Sequence, residues 1–274
     1  MTATGTRTGA ADPPAVRLHD AAFGNDLPCW PLPAAHSADE LWLRAVAAGG
    51  QGRYAAATAD LDDVARRGRG PLLSLAQSTR ASFLRQLGWH RLARVADGRA
   101  WALVAHRPDA AEARADALVG LAADALGIGR FAVAQRLLQR AAVDTDKSGV
   151  PRQRVRLEWV SAELAMVSGR GDDSVAHAER ARALVGDLGS PRHAVKTDVV
   201  YSAALCSAGR FDESRRVADA ALERTQHFGL VPLTWALGCL LSDIGSAGHS
   251  PEAMAQVRDV AAATVRDRGG RWAG

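Results

Sequence analysis

The chain of 274 residues carries 34 basic and 30 acidic side chains, so its net charge of +4 is the small difference between two interspersed sets. Hydrophobic residues make up 47% of it but aromatic residues only 5%, which favours thin, alanine-lined helix contacts over one thick globular core. No apolar run reaches the length of a membrane span, and the first residues lack the apolar core of a signal peptide. We therefore expect a cytoplasmic protein. The abundance of arginine, alanine and glycine beside scarce lysine and asparagine indicates a GC-rich bacterial genome.

The residues 1–36 are predicted to be an N-terminal tail, disordered or extended. Pro28, Pro31 and Pro33 prevent a helix over the last part of this stretch. Two interpretations of the tail remain open: a disordered extension, or an extended segment that docks along the rest of the chain through residues Leu27, Trp30 and Leu32. The helical domain is predicted to cover residues 37–274, because Ser37 followed by Glu40 forms a capping box that starts a helix.

Two similar segments of this domain define a repeat, GRFAVAQRLLQRA at Gly129 to Ala141 and GRFDESRRVADAA at Gly209 to Ala221. In both, a small residue follows the glycine by five positions and an alanine follows it by twelve. The glycine permits a tight turn between antiparallel helices, the aromatic residue is expected to wedge into their crossing, and the small residues allow the second helix to approach closely.

The same features recur at intervals of 36 to 42 residues and predict six units of two helices each. The turn glycines are Gly52, Gly88, Gly129, Gly171, Gly209 and Gly248. Each is followed after five positions by a small residue: Ala57, Ala93, Ala134, Ala176, Ser214 and Ala253. A proline lies between successive units, at Pro71, Pro108, Pro151, Pro191 and Pro232. In the fourth unit Gly169 offers a second possible register, and Gly171 is preferred because it aligns Val160, Leu164 and Val167 with the apolar stripe of the other units.

This joint register of glycine, alanine and proline resembles the tetratricopeptide repeat family. Tyr54, Phe131 and Phe211 match the aromatic position of its turn, whereas His90, Asp173 and Ser250 depart from it, and the units are longer than the family's standard of about 34 residues. The resemblance implies an all-α, right-handed solenoid of stacked helix pairs. It also implies a bacterial adaptor, chaperone-like protein or regulatory subunit whose concave groove binds another protein or a peptide.

The first helix of each unit would line that groove. The predicted partner-binding residues are Trp42, Val46, Ser78, Ser82, Arg85, Val119, Ala123, Ser161, Ala165, Val199, Ala203, Trp235, Cys239 and Ser242. Most of these are small, which would admit a helix or an extended peptide at close range, or reflect only tight curvature of the array. Because Arg85 is the one cation in the set, the sequence argues against capture of a terminal carboxylate.

No catalytic, metal-binding or cofactor-binding residues are predicted, because the chain contains no GxSxG, HExxH or phosphate-loop motif. The three cysteines, Cys29, Cys206 and Cys239, form no Cys-x-x-Cys pair, so they predict free thiols. We therefore expect a protein that is not an enzyme.

One charge cluster supports an alternative function. The second unit contains a basic patch consisting of Arg80, Arg85, Arg91, Arg94, Arg99 and Arg107, which could bind an acidic protein surface or nucleic acid, as in a transcription regulator. The opposing interpretation is a solvated outer helix face that its acidic neighbour balances.

Overall fold

The fold is described by a computed structural model over residues 13–273, which are helical throughout apart from their connections. Within these residues the α-helices are α1 (Pro14–Phe23), α2 (Ala38–Gly50), α3 (Tyr54–Arg67), α4 (Pro71–Gln86), α5 (His90–Val104), α6 (Ala111–Gly127), α7 (Phe131–Ser148), α8 (Pro151–Val167), α9 (Gly171–Val185), α10 (Pro191–Ser207), α11 (Phe211–His227), α12 (Val231–Ile244) and α13 (Pro251–Asp267). A short 3₁₀ turn, Gly186–Leu188, follows α9.

The helices from α2 onward form six consecutive antiparallel pairs, α2–α3 through α12–α13. The even-numbered helices also pack against one another from unit to unit, so they form the inner layer and the odd-numbered helices the outer layer. The prediction of an α-solenoid of six helix pairs is confirmed. Prolines occupy the first turn of α4, α8, α10, α12 and α13. An N–H in the first turn has no partner within its helix, so a proline there costs no hydrogen bond.

The predicted glycine register is correct in four units and wrong in two. In the fourth unit the turn residue with a left-handed backbone is Gly169, whereas Gly171 is the first residue of α9. Counting from Gly169, the residues five and twelve positions later are Ser174 and Ala181, and both are fully buried, while Ala176 is exposed. In the sixth unit the turn is longer, and Met254 occupies the buried position in place of the expected Ala253.

The aromatic position of the turn does not act as a wedge in every unit. Tyr54 is buried, but Phe131 and Phe211 are 40% and 47% exposed. When the fourth unit is counted from Gly169, its aromatic position is Gly171. No side chain fits there, since a Cβ would lie 2.7 Å from the Cα of Ala208 in the next turn. This close approach explains why the fourth unit departs from the aromatic pattern.

The predicted tail contains a helix that the sequence did not reveal. Helix α1 buries Leu18, Ala21 and Ala22, and Leu27 after it packs against α10 and the start of α12. The segment that follows α1 has no regular secondary structure, and the guanidinium of Arg53 lies 3.7 Å above the ring of Trp30. Residues 13–36 thus contain a helix and side chains that contact the helical domain; the rest of the predicted tail lies outside the described residues.

The solenoid closes on itself, a feature that the predicted solenoid with its concave groove did not include. We call the contact between the first two units and the last two units the seam. The amide of Ala55 donates to the carbonyl of Arg268 (3.1 Å), and the amide of Ala273 donates to that of Leu87 (2.8 Å). The side chain of Val265 belongs to the same buried cluster as those of the first unit. Closure brings the concave faces of the units around one partly open cavity.

Candidate ligand cavity

The inner helices of all six units enclose a cavity of about 370 Å³. The part of each inner helix that reaches the wall differs. Helix α2 contributes Trp42, Val46 and Gly50, α4 contributes its C-terminal half, α6 its middle, α8 the stretch from Arg152 to Glu163, and α10 and α12 their first turns. Phe23 of α1 and His90 of α5 complete the lining. A cavity of this size lies at the lower end of the range that accommodates small ligands.

Half of the predicted groove residues line the cavity. These are Trp42, Val46, Ser78, Ser82, Arg85, Val119 and Ala123, all from the first three units. The other seven, from the last three units, are absent from its wall: Ser161, Ala165, Val199, Ala203, Trp235, Cys239 and Ser242. Ala165 is fully buried in helix contacts, Val199 belongs to an apolar cluster, and Trp235 packs against Trp272 with ring centroids 4.3 Å apart and planes tilted by 36°.

Two causes account for the misplaced half. In the fourth unit the register error of two residues shifted the prediction from Trp159 and Glu163, which line the cavity, to Ser161 and Ala165. In the fifth and sixth units the wall passes through the N-terminal turns of the inner helices, where Arg192, His193, Lys196 and Leu233 contribute. Helix periodicity predicts which face of a helix points inward. It does not predict which turn of that helix reaches the cavity.

The cavity wall is much more cationic than the sequence predicted. Besides Arg85 it includes Arg152, Arg156, Arg192 and Lys196, against the carboxylates of Asp116 and Glu163. The argument that Arg85 is the one groove cation, and with it the argument against binding a carboxylate, was therefore wrong. Arg152 and Arg156 lie four residues apart on one face of α8, a signal that the correct register would have exposed.

Arg85 is fixed in a buried ion triad at one side of the cavity. Its guanidinium contacts Asp97 and lies 2.8 Å from Asp124, and both carboxylates are fully buried. The pKa of Asp97 is raised to about 8, because burial and the adjacent charge of Asp124 outweigh the opposing effect of Arg85. Gly120 makes the triad possible, because a Cβ there would lie 2.2 Å from Oδ2 of Asp97. Arg85 is thus largely neutralised within the protein.

Helix α8 contributes two arginines that share acidic partners. Arg156 lies 2.8 Å from Asp116, and Arg152 lies 2.8 Å from Glu112 and 3.9 Å from Asp116. Both side chains keep some exposure, 16% for Arg152 and 19% for Arg156, so solvent reaches them. Burial lowers the pKa of Arg156, with a smaller contribution from Arg152.

An aromatic wall stands beside these cations. Trp159 stacks on His193, with ring centroids 5.7 Å apart and planes 19° apart, and its indole N–H donates to Thr197 Oγ1. Trp42 donates in the same way to Thr79 Oγ1 (3.0 Å). Burial and the nearby arginines lower the pKa of His193 well below its ordinary value, so the imidazole is neutral at pH 7. The cavity combines flat apolar surfaces with concentrated positive charge.

The predicted basic patch of the second unit is dispersed in the structure. Arg85 lies inside, while Arg80 contacts Asp62 and Arg107 contacts Asp109. Arg91, Arg94 and Arg99 remain exposed on α5, without an ion pair to any residue of 13–273. The six arginines therefore do not form one continuous cationic surface.

The part of the chain that the structure describes contains no group of three or more side chains arranged to hold a metal ion. In the same residues, no helix has both the length and the hydrophobicity to cross a bilayer.

Comparison with known proteins gives a likeness of fold. No protein family model matches the sequence. No curated protein matches it either. Among solved structures, the crystal structure of a Rap protein complexed with competence and sporulation factor superposes with a TM-score of 0.65 and 15% sequence identity. The match covers 84% of this chain and 65% of the Rap chain. The two proteins share a fold. A sequence identity of 15% supports a shared helical-repeat architecture and no conclusion about activity.

Proposed function

We propose that this chain is a non-enzymatic tetratricopeptide-like binding protein that encloses a short peptide segment of a partner in its central cavity. The observation that supports the proposal is the cavity itself, which draws its wall from every inner helix and pairs aromatic faces with cationic side chains. The similar Rap protein was crystallised with competence and sporulation factor, which is consistent with a binding role for this fold. A regulatory or adaptor role follows if enclosure of the segment changes how the outer helices meet other proteins.

The physical basis of the proposal is preorganisation. The cavity side chains are already held by intramolecular bonds, for example from Trp42 to Thr79 and from Trp159 to Thr197. A flexible segment that enters the cavity would therefore lose its own conformational entropy, but the wall would lose little. Burial of apolar surface against Trp42 and Trp159 would contribute roughly 25 cal/mol for each Å² removed from water.

A cavity-filling substitution tests the proposal. A library of short random-sequence peptides is screened for binding to the wild type, and the selected peptides are then titrated into Ala123→Trp, which places an indole in the cavity. Ala132→Trp on the exposed face of α7 is the matched control. We expect binding to the wild type and to the control, and a loss of at least about tenfold with Ala123→Trp, equivalent to roughly 1.4 kcal/mol. Equal binding to Ala123→Trp, or no selected peptide at all, would contradict the proposal.

The nucleic-acid alternative now rests on Arg91, Arg94 and Arg99 of α5. These arginines alternate with exposed Leu92 and Val95, so the face is amphipathic and not a continuous cationic track. We expect no gel shift with duplex or single-stranded DNA even at low salt. A shift that weakens steeply with salt and disappears in the double variant Arg91→Glu, Arg94→Glu would restore the alternative.

A further inference from the structure

Four of the five cations that line the cavity have a carboxylate partner. The pairs are Arg85 with Asp97 and Asp124, Arg152 with Glu112, Arg156 with Asp116, and Lys196 with Glu163. The fifth cation is Arg192, on the first turn of α10. Within residues 13–273 it has no carboxylate at ion-pair distance, and it makes one hydrogen bond, from Nη1 to the carbonyl of Val46 (2.8 Å). An arginine carries five N–H donors, so most of its hydrogen-bonding capacity is unused.

The surroundings of Arg192 hold its guanidinium at the seam. Val46 and Gly50 belong to the last turns of α2, and a Cβ on Gly50 would lie 3.1 Å from Cζ of Arg192. The carbonyl end of a helix favours a cation, which offsets part of the missing charge partner. The pKa of Arg192 is nevertheless lowered to about 10, chiefly by burial and also by the adjacent Arg156 and Arg152. A partly buried guanidinium without a counter-charge carries a desolvation cost that a bound anion would relieve.

We propose that the cavity contains a binding site for one oxyanion of the ligand, a carboxylate or phosphate group, held by Arg192 at the seam with Arg152 and Arg156 beside it. Planar guanidinium groups bind such oxyanions through paired hydrogen bonds, which suits this chemistry better than a neutral ligand group. The inference rests on the proposed function, since the anion would belong to the enclosed ligand. Because Arg192 joins α10 to α2, the bound anion would also strengthen closure of the solenoid.

The first test uses inorganic phosphate as the probe. Phosphate is titrated calorimetrically into the full-length protein, with chloride at the same ionic strength as the reference. We expect saturable binding to the wild type, and an affinity about ten- to a hundredfold lower for Arg192→Met, the loss typical of one charge-assisted contact. Arg99→Met changes the net charge equally on an exposed helix and should bind like the wild type. No phosphate binding to the wild type, or equal binding to Arg192→Met, would overturn the proposal.

A second pair of variants covers the case in which Arg192→Met does not fold. Gly50→Asp would place a carboxylate against the guanidinium, and Gly50→Ala is its matched control for the added Cβ. We expect Gly50→Asp to melt at a higher temperature than Gly50→Ala and to lose the stabilisation by phosphate that Gly50→Ala retains. Equal stabilisation of the two variants by phosphate would show that the anion does not bind at Arg192.

A third measurement separates this inference from the proposed function and identifies the source of the anion. Peptides selected on the wild type are compared with a free and an amidated C-terminus, and each is competed with phosphate. Displacement of the peptide by phosphate supports the site. If amidation of the C-terminus abolishes peptide binding, the anion is the terminal carboxylate; if the amidated peptide still binds, the anion is another acidic group of the peptide. Peptides that bind without any competition would overturn the inference while leaving the proposed function intact. Phosphate binding at Arg192 without any peptide ligand would do the reverse.

Discussion

The register of the fourth unit can be tested with tryptophan substitutions two residues apart on α9. Ser174 is fully buried, and its hydroxyl donates to the carbonyl of Gly171 (2.6 Å), whereas Ala176 is exposed. Ser174→Trp should overpack the helix contact, at about 1 to 3 kcal/mol, and lose a hydrogen bond of about 1 kcal/mol. Ala176→Trp should change the free energy of unfolding by no more than about 0.5 kcal/mol.

Urea unfolding followed by circular dichroism measures both variants, and Ala134→Trp serves as a reference because Ala134 is fully buried at the equivalent position of the third unit. For the reference we expect a cost of about 1 to 3 kcal/mol, which corresponds to a fall of roughly 2 to 12 °C in melting temperature. The opposite ranking, with Ala176→Trp costly and Ser174→Trp tolerated, would restore Gly171 as the turn glycine. It would also refute the assignment of Trp159 and Glu163 to the cavity.

Three further substitutions test the buried carboxyl of Asp97 and the packing between turns. A carboxyl whose pKa is raised by folding loses stability as pH rises from its ordinary pKa near 4 to its folded value, here about 8 for Asp97. The stability of Asp97→Asn should therefore exceed that of the wild type by a margin that grows across this interval, and urea-unfolding curves whose difference is independent of pH would contradict it. Gly171→Ala should cost about 1 to 3 kcal/mol because its Cβ meets the backbone of Ala208, whereas Gly186→Ala, with a helical φ of −58° and open space, should be neutral or stabilising by about 0.4 to 1 kcal/mol. Equal melting temperatures for the two alanine variants would argue against the tight turn-to-turn packing.

The repeat architecture was predictable because its signals are local. A glycine at a left-handed turn, small residues five and twelve positions later, and prolines at first turns each reflect a constraint within one helix pair, and they gave all six pairs. The capping box of Ser37 and Glu40 likewise fixed the start of α2, where both of its hydrogen bonds are present. Helix α1 was missed because its apolar residues contact distant parts of the chain, and its own sequence carries no repeat.

Closure of the solenoid was not predictable, because it depends on small rotations between units that accumulate over the whole array. The same holds for the cavity: Arg192 lines it only because the fifth inner helix reaches the end of the first. The inward-facing positions predicted from helix periodicity therefore line the cavity in the first three units but not in the last three. Within residues 13–273, Arg192 is the one cation of the wall without a carboxylate partner, and this difference depends on contacts between units that the sequence does not reveal.

Amide hydrogen exchange at Ala55 tests the closure of the solenoid most directly. Ala55 is the second residue of α3, where an N–H has no partner within its own helix, so its protection can come only from the carbonyl of Arg268 across the seam. Ala132 holds the equivalent position of α7 and provides the unprotected reference. The closed structure predicts slow exchange at Ala55 and fast exchange at Ala132; equally fast exchange at both amides would show that the solenoid is open and that no enclosed cavity exists.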